Sequence, residues 1–407
     1  MSCIQTPSPD EARPPRLTLF ALFVKFLGFG LLAFGGPAAQ IAMLKRELVE
    51  GEGWISVARF NRLLAVMQVL PGPEAHELCV HLGMRARGRW GGLVAGLGFM
   101  LPGFILMMAL AWLYFRIDFD RGWVAAALFG VQAGVVALIV RAVEKIGQQA
   151  LADRALWIIG GTAAVASALG VPFWITLPAS GAVYWAWRSG RRGVVVLIVV
   201  AAAVAALFQA QAGGASVAPT FSSLASDAPG TVAALALFLC GLKAGLLTFG
   251  GAYTAIPFLR TDMVVRGWLG DGAFLDGLAL SGVLPAPLII FATFVGYVAG
   301  GPAGALAITA GIFLPAFAFS MIFYDRLEAV VDAPALRELL EGVAAGVVGL
   351  IAVTAAQLGW GLATTSGTPW LALAIFIPAL AMFFRWKSPF AAPVVLAAAG
   401  VAGVLAA

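Results

Sequence analysis

Charge is what this chain has least of. Asp, Glu, Lys and Arg make up 11% of its 407 residues, where soluble domains carry about a quarter. With 61% hydrophobic residues and a mean hydropathy of +0.97, that scarcity excludes an ordinary soluble domain. Histidine and cysteine are rarer still. The two histidines, His76 and His81, and the three cysteines, Cys3, Cys79 and Cys240, form no metal-ligand spacing and no disulfide framework. No cofactor and no metal follow. No His-x-x-x-His, Ser/His or paired-aspartate arrangement stands inside an apolar run, so the chain is not read as an enzyme. The segment through Arg16, with Asp10, Glu11 and four prolines, lacks the parts of a signal peptide and reads as a polar tail. A net charge of +5 implies no nucleic acid, because the excess lies in loops and sets membrane orientation.

What the chain has instead is apolar runs near the ~20 residues that cross a bilayer. Spans are expected near 17–44, 62–84, 91–115, 123–141, 155–170, 172–187, 193–210, 231–258, 275–299, 303–324, 339–357, 370–384 and 390–406. That makes an all-α polytopic membrane protein of about thirteen spans, of which the broken and shortest ones are open to a re-entrant reading. A polar tail (1–16), a first membrane repeat (17–210), an Ala/Ser/Gly-rich linker (211–230) and a second repeat (231–407) divide it. Placing the N-terminus inside puts seventeen loop cations on the inner side and six on the outer, hence a cytoplasmic N-terminus, a C-terminus outside and residence in a bacterial inner membrane. The loop at 45–62, with Lys45, Arg46, Arg59 and Arg62 on the outer side, runs against that rule.

The repeat is explicit in the residues. Phe34-Gly35-Gly36 matches Phe249-Gly250-Gly251, Glu47 matches Asp262, and Trp54 matches Trp268. Pro71-Gly72-Pro73 matches Pro285-Ala286-Pro287, Leu101-Pro102 matches Leu314-Pro315, and Gly130-Val131 matches Gly342-Val343. The offset drifts only from 215 to 212. Seven spans before the second unit is an odd number, so the two repeats are expected to be inverted, as in many alternating-access carriers.

These residues resemble the chromate ion transporter family in its bidomain form. The resemblance rests on Phe34-Gly35-Gly36-Pro37, Lys45-Arg46-Glu47 with Trp54 downstream, Pro71-Gly72-Pro73-Glu74 and Leu101-Pro102. In the second half it rests on Phe249-Gly250-Gly251-Ala252-Tyr253, Ile256-Pro257-Phe258 and Gly296. It covers about 18–145 and 235–357. The resemblance implies a secondary transporter that expels chromate, linked to sulfate and to the proton gradient or membrane potential. Two departures stand out: Gln40 where many relatives have histidine, and Pro285-Ala286-Pro287 in place of Pro-Gly-Pro, which implies unequal halves.

Candidate site residues follow from the breaks. Gly35, Gly36 and Pro37 stop one half-helix and start another, and free N–H groups at such a start attract anions. Gly250, Gly251, Tyr253 and Thr254 offer the same from the second repeat. Small residues also line helix interfaces, so close packing stays an open alternative. Lys25 and Lys243 lie inside spans and would compensate a chromate- or sulfate-like dianion; snorkelling is the competing account. Glu74 and Glu77 lie inside a span, share a helix face with His81, and are candidate proton carriers. Pro71, Gly72, Pro73, Pro285 and Pro287 break helices. Arg46 with Glu47, and Arg260 with Asp262, read as loop ion pairs, and Trp54 and Trp268 as interfacial anchors. The partners are then the oxyanion and the lipid bilayer, with a homodimer allowed. The rivals are a carrier of another oxyanion, an anion channel and an intramembrane enzyme.

Overall fold

The structure, a computed structural model, describes residues 14–67, 72–116, 122–211, 234–248, 251–264, 266–322, 334–365, 368–386 and 388–406. Pro71, Gly250 and nearly all of the 211–230 linker lie outside the described residues. Among those described, every regular element is helical. In the first half α1 is Leu19–Leu31, α2 Gly36–Leu44, continued by a π-helical turn over Lys45–Gly51, α3 Val57–Met67, α4 Glu74–Tyr114, α5 Gly122–Ala150, α6 Arg154–Ala168 and α7 Phe173–Arg188. α8 is Arg192–Gln211. The second half repeats the order: α9 Ala234–Leu246, α10 Ala255–Met263, α11 Asp271–Val283, α12 Phe291–Ile322, α13 Pro334–Thr365, α14 Pro369–Arg385 and α15 Ala391–Ala406. Helices rich in Leu, Val, Ile and Phe, with many of those side chains turned outward, mark a multi-pass membrane protein.

The long helices α4 and α12 are each two antiparallel arms. Arg87 (φ −145°, ψ 31°) and Gly88 (φ 61°, ψ −156°) reverse the chain in α4, and Gly300 (φ −147°, ψ 22°) and Gly301 (φ 62°, ψ −158°) do so in α12. Positive φ suits glycine, which lacks the Cβ that would clash. The arms touch through small residues: a Cβ on Gly83 would stand 2.5 Å from the Gly91 carbonyl oxygen, and one on Gly296 2.6 Å from that of Gly304. These turns fall between the expected spans 62–84 and 91–115, and between 275–299 and 303–324.

Packing inside each half is duplicated contact by contact. A Cβ on Gly98 would lie 2.8 Å from the Phe23 carbonyl oxygen of α1, and one on Gly311 2.2 Å from the Phe238 carbonyl oxygen of α9. With lipid on the outside there is little hydrophobic drive between helices, so close backbone approach at small residues supplies the cohesion. A helix pair from each half is exchanged: α6 and α7 pack on α13, while α14 and α15 pack on α5. Ser180 of α7 meets Gly342 and Gly346, as Ala399 of α15 meets Gly130 and Gly134. A buried polar tie also crosses between halves, where Asp276 of α11 accepts from Tyr114 Oη (2.9 Å) and Gln132 Nε2 (2.7 Å).

Candidate functional site

Proline and glycine set the site's framework. Gly35 (φ 84°) and Gly36 (φ 76°) both take the left-handed conformation between α1 and α2, and Pro37 opens α2. The chain then doubles back: Lys25 of α1 pairs with Glu52, beyond the π turn, and the Phe26 ring lies 6.2 Å from that of Trp54. α9 and α10 double back likewise, with Lys243 paired to Asp262. α11 and the first arm of α12 do the same, since a Cβ on Gly277 would press on Phe294. Thirteen residues of α1 or α9 reach about 20 Å, short of the ~30 Å hydrocarbon core. The expected spans 17–44 and 231–258, read as interrupted and open to re-entry, are pairs of half-helices that fold back on themselves.

The tips of these hairpins converge. The Gly72 N–H donates to the Thr248 carbonyl (2.8 Å), joining the Pro-Gly-Pro turn to the end of α9. Gln40 Nε2 donates to the carbonyls of Ala33 (2.9 Å) and Ala286 (3.2 Å), joining the end of α1 to the Pro285–Pro287 turn. A Cβ on Gly36 would lie 3.8 Å from Tyr253 Oη, and one on Gly251 3.9 Å from Pro37. Thr254 is buried and donates to the Gly251 carbonyl (2.7 Å).

A cavity of about 630 Å³ opens beside the tips, lined by Gly35, Gly36, Pro37, Tyr253, Arg141 and Lys145 among others. A second, of about 360 Å³, shares Pro37, Tyr253 and Lys145 and adds Glu74, Lys45 and Asn61. Glu74 begins its helix directly after Pro73, as expected. Glu77, one turn on, is fully buried under Gly72, and neither carboxylate oxygen has a hydrogen-bond partner among the described residues. His76 turns the other way, onto the rings of Phe313 (4.8 Å) and Phe317 (4.7 Å).

Several expectations are corrected. Lys25 and Lys243 line neither cavity, and each faces a carboxylate instead. Arg46 pairs with Glu47, but Arg260 pairs with Asp271 rather than Asp262, which is held by Lys243 and Arg266. Trp54 is no interfacial anchor: it is fully buried and donates to Glu52 Oε2 (2.9 Å). Trp268 is half-buried, with the Arg266 guanidinium 5.6 Å over its ring. Sequence reading missed Arg141 and Lys145, treating them as loop charges. The signal was the apolar period continuing past 141 through Ala142, Val143 and Ile146, which extends α5 to Ala150.

Comparison with known proteins decides the family. The chromate transporter family model matches residues 20–211 and 235–404. The chain belongs to the chromate transporter family. It is 59% identical over 401 residues to a chromate transport protein of Pseudomonas aeruginosa, covering 98% of this chain and 95% of that one. It is 30% identical over 402 residues to a chromate transport protein of Cupriavidus metallidurans, covering 96% and 94%. Members of this family are transporters, not enzymes, which fits a site built from helix breaks, cations and neutral donors. No solved structure matches the chain.

Proposed function

We propose that the chain exports chromate from the cytoplasm by alternating access between two inverted repeats, 17–210 and 231–407. The supporting observation is the convergence of broken-helix tips from both halves on one cavity that carries cations, in a chain of this family. Taking the paired half-helices as re-entrant leaves α8, the second arms of α4 and α12, and α5, α6, α7, α13, α14 and α15 to cross the membrane. Nine crossings result, five of them before the second repeat, so inversion follows by the revised count as well. The same reading moves 45–62 to the inner side and Arg260 and Arg266 to the outer, giving nineteen inner loop cations against four. The N-terminus is then cytoplasmic and the C-terminus outside.

Export of a dianion needs little else to drive it. An inside-negative potential contributes about 2.3 kcal/mol per charge per 100 mV, so two charges gain about 4.6 kcal/mol. The breaks at Gly35–Pro37 and Gly251–Thr254 would hold the anion with backbone N–H groups. Glu74 and Glu77 are the groups for a proton linkage, Glu77 being a buried carboxylate without a partner among the described residues. Sulfate, another tetrahedral dianion, would compete at the same place.

Purified protein in proteoliposomes tests this. Voltage-driven chromate flux with counterflow is expected, and Glu77→Gln should remove the response to an imposed pH gradient while counterflow persists. Flux without counterflow would mean a channel, and no chromate flux at all would end the proposal.

A further inference from the structure

We propose that Lys145, on the last turns of α5, is the residue whose charge receives the transported oxyanion, opposite the Gly35–Pro37 break and Tyr253. The inference rests on the oxyanion-transport reading above and names the cation of that site.

Three observations carry it. First, the residues lining the 630 Å³ cavity include two cations, Arg141 and Lys145, and no carboxylate. Second, the two cations differ in what already meets them. Arg141 is paired with Glu144 and lies 4.7 Å over the Phe384 ring, whereas Lys145 makes no ion pair among the described residues. The lysines first expected here, Lys25 and Lys243, are both neutralised by carboxylates. Third, Lys145 is common to both cavities, with Glu74 lining only the smaller. A flexible point charge on a four-carbon stem suits a residue that serves two neighbouring spaces, where an arginine fork would be fixed to one.

Size and symmetry sharpen the point. A cavity of about 630 Å³ has room for waters beside a small oxyanion, and a charge at its wall would offset the hydration the anion gives up on binding. The repeat places Gln357 at the position equivalent to Lys145, and Gln357 is engaged by Arg260 (2.8 Å). Among the described residues there is therefore one such cation, which supports one anion site rather than two.

The test uses the full chain in proteoliposomes, with chromate, sulfate and molybdate as probes. Lys145→Gln should weaken apparent anion affinity about tenfold or more, as loss of a charged hydrogen bond does, and Lys145→Arg should stay nearer the wild type. To separate charge from folding, Lys145→Cys is treated with a thiosulfonate reagent that attaches an ethylammonium group and, separately, with one that attaches an ethylsulfonate. The cationic adduct should restore affinity and the anionic one should not, with wild type treated identically as control. Affinity within twofold of wild type in Lys145→Gln, or equal effects of the two reagents, would overturn the assignment. If wild type moves sulfate with Lys145-dependent affinity but never chromate, the substrate reading fails and the lysine assignment stands. If Lys145→Gln carries chromate with wild-type affinity, the reverse holds.

Discussion

The two halves repeat one backbone and use it differently. Lys145 on α5 faces an open cavity, while its counterpart on α13, Gln357, is bound by Arg260, which also grips Asp271 through two contacts of 2.8 and 3.1 Å. Lys45, the counterpart of Arg260 at the offset of 215, pairs with Glu50 (3.5 Å) instead, and the neighbouring Arg46 is largely exposed and pairs with Glu47. The reversals at Gly88 and Gly301 match closely in their angles, so at those turns the halves differ in side chains rather than in backbone. Duplication sets the frame; the charges decide which side is tied shut. The second half's hairpin is the one locked by charge, although Tyr253 at its tip lines the cavity together with Gly35–Pro37 of the first.

The largest expected effect tests that contrast on the hairpin lysines. Asp262 is 1% exposed and held by Lys243 and Arg266, whereas Glu52, the partner of Lys25, is 40% exposed. Removing one partner of a buried pair costs about 3–5 kcal/mol, and Arg266 would keep part of that, so Lys243→Ala should lose about 2–3 kcal/mol. Lys25→Ala breaks a pair screened by solvent and should lose less than about 1 kcal/mol. Unfolding midpoints of the two variants in one detergent decide the matter; equal losses would mean that the hairpins are equally locked.

A smaller difference is expected between Arg260→Ala and Arg46→Ala. The first gives up a bidentate carboxylate pair and a bond to Gln357, worth about 1–2 kcal/mol after solvent screening at the half-exposed Asp271. The second should fall within about 0.5 kcal/mol of wild type, as exposed pairs do. A destabilised Arg46→Ala would show that the first hairpin carries a tie of its own at this point.

What could be read from the residues, and what could not, follows the same division. Breaks at Gly35–Pro37 and before Gly251, the helix start at Glu74, and the duplicated contacts were legible because glycine and proline act locally and an offset is visible without coordinates. The doubling back of α1 on α2 was not, since an apolar run of 28 residues with a break reads alike as a crossing or a hairpin. Nor was the burial of Trp54, which depends on that doubling back to bring Phe26 against it. Ion-pair partners were legible at sequence distance one, as for Arg46 and Glu47, and not at nineteen, as for Lys243 and Asp262. Lys145 was passed over because a cation near a helix end has an ordinary explanation in orientation, and only the cavity beside it supplies another.

The subtlest asymmetry lies at the tips, and its expected effect is the smallest. On one side the Gly72 N–H bonds directly to the Thr248 carbonyl, a contact no side-chain change removes. On the other, Ala286 turns its N–H to Leu284, and the Gln40 amide bridges the Ala33 and Ala286 carbonyls while its own Oε1 is buried without a partner among the described residues. Each neutral bond contributes about 1 kcal/mol, but an unpaired buried oxygen costs a comparable amount, so the bridge is nearly balanced. Gln40→Leu keeps the bulk, loses both bonds and relieves the orphaned oxygen, and should shift the unfolding midpoint by less than about 1 kcal/mol equivalent. If the tips part on this side during transport, the same variant should still change the counterflow rate, because about 1 kcal/mol moves a two-state ratio roughly fivefold. A loss well above 2 kcal/mol would make the amide a fixed tie like its backbone counterpart. An unchanged counterflow rate would mean that Ala33 and Ala286 stay together throughout the cycle, and that the moving contact lies elsewhere between the halves.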